Sequence, residues 1–130
     1  MIPTPYQKYQ QSSVQTASPG QLVIMLYDGA IRFVKQSIEA IKNKDIQKAN
    51  HFLLKAQTVI HELVASVDIQ YPISKQLLQI YEYMMHRLIQ ANVNKNSEAA
   101  DEVLSYLTDL KEAWLVAVKS TTQMSQNYNG

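Results

Sequence analysis

The chain has 130 residues, of which 46% are hydrophobic, and its formal net charge is +1. A chain of this length forms one domain around a single core, and its interspersed charges lack both the basic stripe of nucleic-acid-binding proteins and the basic cluster that holds proteins on anionic lipid. The absence of cysteine excludes disulfides, thiolate catalysis and Cys-ligated zinc. No apolar run approaches the ~20 residues of a membrane-spanning helix and no secretory signal opens the chain, so we expect a cytoplasmic protein without membrane insertion.

Residues 1–17 are rich in Gln, Ser and Thr, and Pro3 and Pro5 keep the first part extended. We therefore expect a flexible N-terminal arm. Tyr6, Tyr9 and Val14 are its apolar and aromatic side chains. They are either incidental or the means by which the arm docks on the domain's own apolar surface.

A first helix is predicted over about 18–42. Ser18 is suited to the N-cap, Pro19 to the first helical position, and Gln21 to the return hydrogen bond of a capping box. Helical spacing places one apolar seam on this helix, with further apolar residues on both sides of it. The seam is Val23, Tyr27, Ala30, Val34, Ile38 and Ile41, and the flanking residues are Leu22, Leu26, Phe33, Ile24 and Ile31.

Gly29 interrupts this helix at a cost of roughly 1 kcal/mol relative to alanine. Two explanations remain open: close packing against another helix of the domain, or close approach of a helix from a bound ligand.

Three more helices are predicted, over about 45–67, 72–92 and 97–120, because Asp45, Pro72 and Ser97 are start signals and apolar residues recur at steps of three and four. Residues 121–130 show no period, so we expect a disordered C-terminal tail. The predicted seams are Ile46, Ala49, Leu53, Ala56, Ile60, Leu63 and Val67; Ile73, Leu77, Ile80, Tyr81, Met84, Leu88 and Ala91; and Val103, Leu107, Leu110, Trp114 and Ala117.

Four helices joined by short connections predict an all-α protein, an antiparallel up-down four-helix bundle over residues 18–120. More apolar residues are present than four seams use, among them Phe52, Val59, Leu78, Met85 and Ile89. These extra residues could form grooves that receive an amphipathic helix of a partner, with methionine as a pliable wall. They could equally form a homodimer interface or fill a thick core.

Catalytic and metal-binding patterns are not found. A di-metal bundle needs inward carboxylates and Glu-x-x-His pairs, whereas Glu82 and His86 share an outward face with other polar residues. The serines lie outside any nucleophile motif, and Gly20 and Gly29 do not form a phosphate-binding loop. We therefore expect a non-enzymatic protein with no metal and no cofactor.

The order of several short motifs resembles the family of the flagellar secretion chaperone FliS over about residues 5–118. The motifs are Tyr6-Gln7-Lys8-Tyr9, Val14, Thr16-Ala17-Ser18-Pro19, Leu26-Tyr27-Asp28-Gly29-Ala30, Lys55-Ala56-Gln57 with Ile60 and Glu62-Leu63, Tyr81-Glu82-Tyr83-Met84, Arg87-Leu88 with Ala91-Asn92, and Ala113-Trp114.

This resemblance implies a bacterial cytosolic chaperone without enzymatic activity. Its client would be the disordered C-terminal region of flagellin, which wraps around the bundle, is kept from premature polymerisation and is delivered to the flagellar type III secretion apparatus. Components of the flagellar export gate are further candidate partners. The resemblance also implies that Tyr6, Tyr9 and Val14 form a covering arm. Our candidates for the groove walls are Leu22, Met25, Leu26, Phe52, Val59, Leu78, Met85 and Ile89. A homodimeric structural bundle or adaptor is the alternative.

Overall fold

The computed structural model describes the backbone of residues 18–129 and the side chains of residues 18–120. Four helices follow one another: α1 is Pro19–Lys42, α2 is Ile46–Ser66, α3 is Ser74–Asn94 and α4 is Ser97–Asn129. The predicted arm over residues 1–17, with Tyr6, Tyr9 and Val14, lies outside the described residues, as do the side chains of the predicted tail over residues 121–130.

The capping signals of the sequence fix the helix starts. The Gln21 N–H donates to Ser18 Oγ at 3.3 Å and the Ser18 N–H donates to Gln21 Oε1 at 3.0 Å, which completes a capping box. Asp45 caps α2 by accepting a hydrogen bond from the Lys48 N–H at 3.1 Å. The start of α1 predicted at Ser18 is therefore confirmed.

The helices form the predicted antiparallel four-helix bundle. Helix α1 packs between α2 and α4, and α3 packs between the same two helices on the other side of the core. The core contains the central seam residues of all four helices, and the phenol oxygens of Tyr27 on α1 and Tyr81 on α3 are hydrogen-bonded across it. One end of the bundle is formed by the beginnings of α1 and α3 and by the later turns of α2 and α4.

Several seam predictions are wrong at the helix ends. Ile46 and Ile73, at the starts of their helices, are 63% and 66% exposed. Ala117, in the interior of α4, is exposed as well, whereas Ala99 and Ala100 in the first turn of α4 are fully buried. Ile46 and Ile73 lie on the predicted faces but have packing partners on one side only, so helical spacing alone does not bury them.

Helix α4 ends at Asn129, beyond the end predicted near residue 120. No proline or glycine interrupts the chain between Ser97 and Gly130, so the backbone has no local reason to leave the helical conformation earlier. Helix α3 also starts later than predicted, at Ser74, because residues 67–73 form a folded connection.

Candidate functional site

An apolar groove of about 990 Å³ opens at the end of the bundle where α1 begins. Four parts of the chain build it: the first half of α1, the last turns of α2 with the connection after it, the first turns of α3, and one side chain of α4. The lining residues are Pro19, Gly20, Leu22, Val23, Met25, Leu26, Gly29, Arg32, Phe33, Val59, Glu62, Ser66, Val67, Asp68, Tyr71, Ile73, Ser74, Leu77, Tyr81 and Trp114.

Helix α1 forms the long wall of the groove. Its apolar arc is wider than the core contact, so Leu22, Met25 and Leu26 remain only half-buried although they adjoin the core residues. The wall runs from Pro19 to Phe33, which is about 21 Å at a rise of 1.5 Å per residue. This length matches about four turns of a second helix lying alongside.

The floor of the groove carries a buried polar cluster. The phenol oxygens of Tyr27 and Tyr81 share a hydrogen bond, and the Trp114 side chain is a further hydrogen-bond partner of Tyr27. Burial raises the pKa of the Tyr27 phenol, and its hydrogen bonds with Tyr81 and Trp114 oppose that rise. Burial is also the main cause that raises the pKa of Tyr81, and the bond to Tyr27 adds to it. Both phenols are therefore neutral at physiological pH.

The opposite wall comes from α2 and from the connection to α3. Val59 and Val67 are half-buried on the α2 side, while Tyr71 and Ile73 are 64% and 66% exposed. The connection is held by Asp68, whose backbone carbonyl accepts hydrogen bonds from the Tyr71 N–H at 3.4 Å and from the Ser74 hydroxyl. The turn thus holds two large apolar side chains at the mouth of the groove.

Charged residues lie at the rim. Glu62 and Asp68 line the groove near the end of the bundle. Further along, the Arg32 guanidinium lies 5.2 Å from the centroid of the Phe33 ring, and the Lys55 ammonium lies 5.7 Å from the same centroid. The rim is therefore acidic towards the bundle end and basic towards the middle of α1.

Of the eight predicted groove residues, four line the groove, one lies beyond its inner end and three lie on a second surface. Leu22, Met25, Leu26 and Val59 line the groove. Phe52 lies beyond its inner end, where its ring stacks on Phe33 with centroids 6.2 Å apart.

The remaining three candidates, Leu78, Met85 and Ile89, lie along α3 outside the groove. They share the side of α3 that carries Asn92, whose side-chain amide donates to Asn50 Oδ1 of α2 at 2.8 Å. Met85 and Leu78 are half-buried and Ile89 is 45% exposed. These three residues therefore belong to a second apolar surface, between α2 and α3.

The structure tests the first explanation of Gly29, which is close packing against another helix of the bundle. A Cβ atom added to Gly29 would meet no atom within 4 Å among the described residues. Close packing within the bundle is therefore not its role. Gly20 is the contrasting case, because a Cβ there would lie 2.7 Å from Val118 Cγ2 of α4.

Helical spacing does not predict the whole groove. Tyr71 was assigned no role there, and Ile73, Val67, Leu77 and Trp114 were assigned only to core seams. The available signal was the apolar content of the Pro72 connection, where Ile69, Tyr71 and Ile73 are all exposed. Several exposed apolar residues in one connection indicate a surface that binds another chain or ligand.

Metal-binding and membrane-spanning features are not found in the described part of the chain. No group of three or more His, Cys, Asp or Glu side chains there could hold a metal ion. None of the described helices is long and apolar enough to cross a membrane.

Comparison with known proteins identifies relatives along almost the whole chain. The family model described as "Flagellar protein FliS" matches residues 2–121. "Flagellar secretion chaperone FliS" of Bacillus subtilis (strain 168) is 40% identical over 119 residues, which cover 92% of this chain and 90% of the relative. The protein of that name from Salmonella typhimurium is 33% identical, with 89% of each chain covered.

A solved structure gives independent support for the fold. A chain described as "Crystal structure of flagellar chaperone from bacteria" superposes with a TM-score of 0.74 at 20% sequence identity. The match covers 88% of this chain and 95% of that one. The four-helix architecture is therefore shared with a solved flagellar chaperone.

Proposed function

This chain belongs to the FliS family of flagellar secretion chaperones, and from that premise we propose that its groove binds the disordered C-terminal region of flagellin. The protein acts in the bacterial cytoplasm, keeps flagellin from polymerising prematurely and delivers it to the flagellar type III secretion apparatus. It does so by binding alone, without catalysis, metal or cofactor.

The open apolar groove along α1 is the observation that carries this proposal. A client helix laid against the wall from Leu22 to Phe33 would bury its i, i+3, i+4 and i+7 side chains. Each fully buried large apolar side chain contributes about 1.5–3 kcal/mol, whereas ordering a disordered segment costs about 2–5 kcal/mol or more. Three or four such anchors therefore offset the cost of folding the client on the bundle.

The second apolar surface supports a client that continues around the bundle. Leu78, Met85 and Ile89 are too far along α3 to line the groove, yet they leave apolar area accessible between α2 and α3. We propose that a later segment of the flagellin C-terminal region lies on them, so that one client chain occupies both surfaces.

Titration of this chain with a peptide of the flagellin C-terminal region tests the proposal by calorimetry and by the gain in helical circular dichroism. Val59→Glu places a charge on the groove wall and should weaken binding by about 5- to 150-fold, from about 1–3 kcal/mol for burying an unpaired polar group. Thr58→Glu is the matched control, since Thr58 is exposed on the same helix and does not line the groove. Equal loss in both variants would remove the groove as the binding site.

Met85→Glu tests the second surface in the same titration. We expect a smaller loss than for Val59→Glu with the full C-terminal peptide, and no loss with a peptide short enough to fill the groove alone. Unchanged affinity for the full peptide would remove Met85 from the binding surface.

We propose that the N-terminal arm shields the groove until the client arrives. The groove begins at Pro19, directly after residues 1–17, and Tyr6, Tyr9 and Val14 are the side chains suited to cover it. Deleting residues 1–15 should raise the binding of a hydrophobic dye by the free protein. An unchanged dye signal would count against shielding.

A homodimeric structural bundle is the second candidate. Leu54, Val64 and Val93 are exposed on the outer sides of α2 and α3, near the second apolar surface. If these residues form a self-association interface, sedimentation will show a mass that increases with protein concentration. A monomeric mass together with peptide binding would exclude this candidate.

A further inference from the structure

Gly29 lies in the interior of a 24-residue helix where nothing within the described bundle requires glycine. Its φ angle is not positive, so the backbone conformation is open to any residue. A Cβ at this position would meet no atom of residues 18–120 within 4 Å, so no described neighbouring helix requires its absence. Because glycine destabilises a helix interior relative to alanine, the chain carries a stability cost that the described part of the domain does not explain.

The surroundings of Gly29 connect it to the groove. Gly29 is half-buried and belongs to the groove lining. Met25 and Leu26, one turn before it, and Arg32 and Phe33, one turn after it, line the same wall with side chains. Gly29 therefore leaves a notch in the α1 wall, a point where the backbone carries no side chain. The notch lies about halfway along the second half of the wall.

We propose that a helix of the flagellin client crosses α1 at this notch, with its backbone closer to Gly29 than any side chain would allow. The proposal rests on the proposed function and adds the place where the client helix is positioned. Packed helices approach to interaxial distances of about 8–10 Å according to the side chains at the contact. With no side chain at the crossing point, the interaxial distance can fall to the short end of that range. The flanking side chains then make more contact with the client.

The close approach also makes Gly29 a specificity determinant. The client must present a small residue at the crossing point, because a large side chain there would hold the two backbones apart. An amphipathic helix with large apolar residues all along its buried face would fit this wall less well than one with a small residue in that face.

Two substitutions separate stability from binding. Gly29→Ala adds one methyl group into open space, so the melting temperature of the free protein should rise by about 2–5 °C. In calorimetric titration with the flagellin C-terminal peptide, the same variant should bind about fivefold or more weakly, and Gly29→Leu more weakly still. A variant that is more stable yet binds less well cannot owe the loss to misfolding.

Ser105→Leu is the control, because it adds a large apolar side chain to an exposed position of α4 that is outside the groove. Its affinity for the peptide should equal that of the unmodified protein. If the unmodified protein binds and Gly29→Ala binds as tightly or more tightly, the crossing at Gly29 is refuted while the groove function stands. If Gly29→Ala lowers the melting temperature, glycine has a role within the fold and the proposal is also refuted. If the unmodified protein does not bind the peptide, the proposed function fails and this inference fails with it.

Discussion

Replacing Tyr81 by phenylalanine removes one of the two phenol oxygens that meet in the core between α1 and α3. Tyr27 is fully buried and Tyr81 is 1% exposed, so the remaining Tyr27 hydroxyl cannot recover a bond to bulk water. The Trp114 indole can only donate to Tyr27, so it does not replace the acceptor that Tyr81 supplies. A buried polar group that loses its partner costs about 1–3 kcal/mol. With an unfolding entropy of about 2.1 cal/mol/K per residue, the melting temperature of a chain of this size should fall by about 4–11 °C.

A double-mutant cycle identifies the pair as the cause. Adding Tyr27→Phe to Tyr81→Phe removes both hydroxyls, so the double variant should be less destabilised than the sum of the two single variants. Thermal and urea unfolding followed by circular dichroism provide the free energies. Tyr83→Phe is the control, because Tyr83 is exposed on the same helix and should change stability by less than about 0.5 kcal/mol. A Tyr81→Phe protein as stable as the unmodified one, or strictly additive effects, would refute the reasoning.

Three further outcomes are expected from contacts in the same bundle. Because the folded state keeps the protons of Tyr27 and Tyr81 at a higher pH than the unfolded chain does, the free energy of unfolding should decrease as the pH rises above about 10, measured by urea unfolding at successive pH values. Ser18→Ala should lower stability by about 0.5–2 kcal/mol in the same assay, through loss of the capping box. Gly20→Ala should lower the melting temperature, since its Cβ would lie 2.7 Å from Val118 Cγ2. An unchanged melting temperature would mean that α4 shifts away from the added methyl group without a loss of stability.

The fold could be predicted from the sequence because its signals are local. The capping residues around Ser18 and the three-and-four spacing of apolar residues act within one helix, and both are confirmed. The predictions were wrong where burial depends on another element: Ile46 and Ile73 are on apolar seams but extend past their partners, and Ala99 and Ala100 are too small to give a strong apolar signal.

The groove could be predicted only in part for the same reason. Helical spacing placed Leu22, Leu26 and Val59 beside the core seams, and Met25 was a further candidate for the groove walls. All four line the groove. It could not assign Leu78, Met85 and Ile89 to a different surface, because that assignment depends on how α3 is rotated against α2. Nor could it bring Tyr71 to the mouth of the groove, since the path of a connection is set by tertiary hydrogen bonds such as the one from Ser74 to Asp68.

The position of Trp114 gives the groove a built-in optical reporter. It is the chain's single tryptophan, it lines the groove floor, and its side chain is hydrogen-bonded to Tyr27. A guest that displaces water from the indole should therefore shift its fluorescence emission to shorter wavelength without any attached dye. The arrival of a tryptophan-free guest at this floor could then be followed in real time in an unlabelled protein.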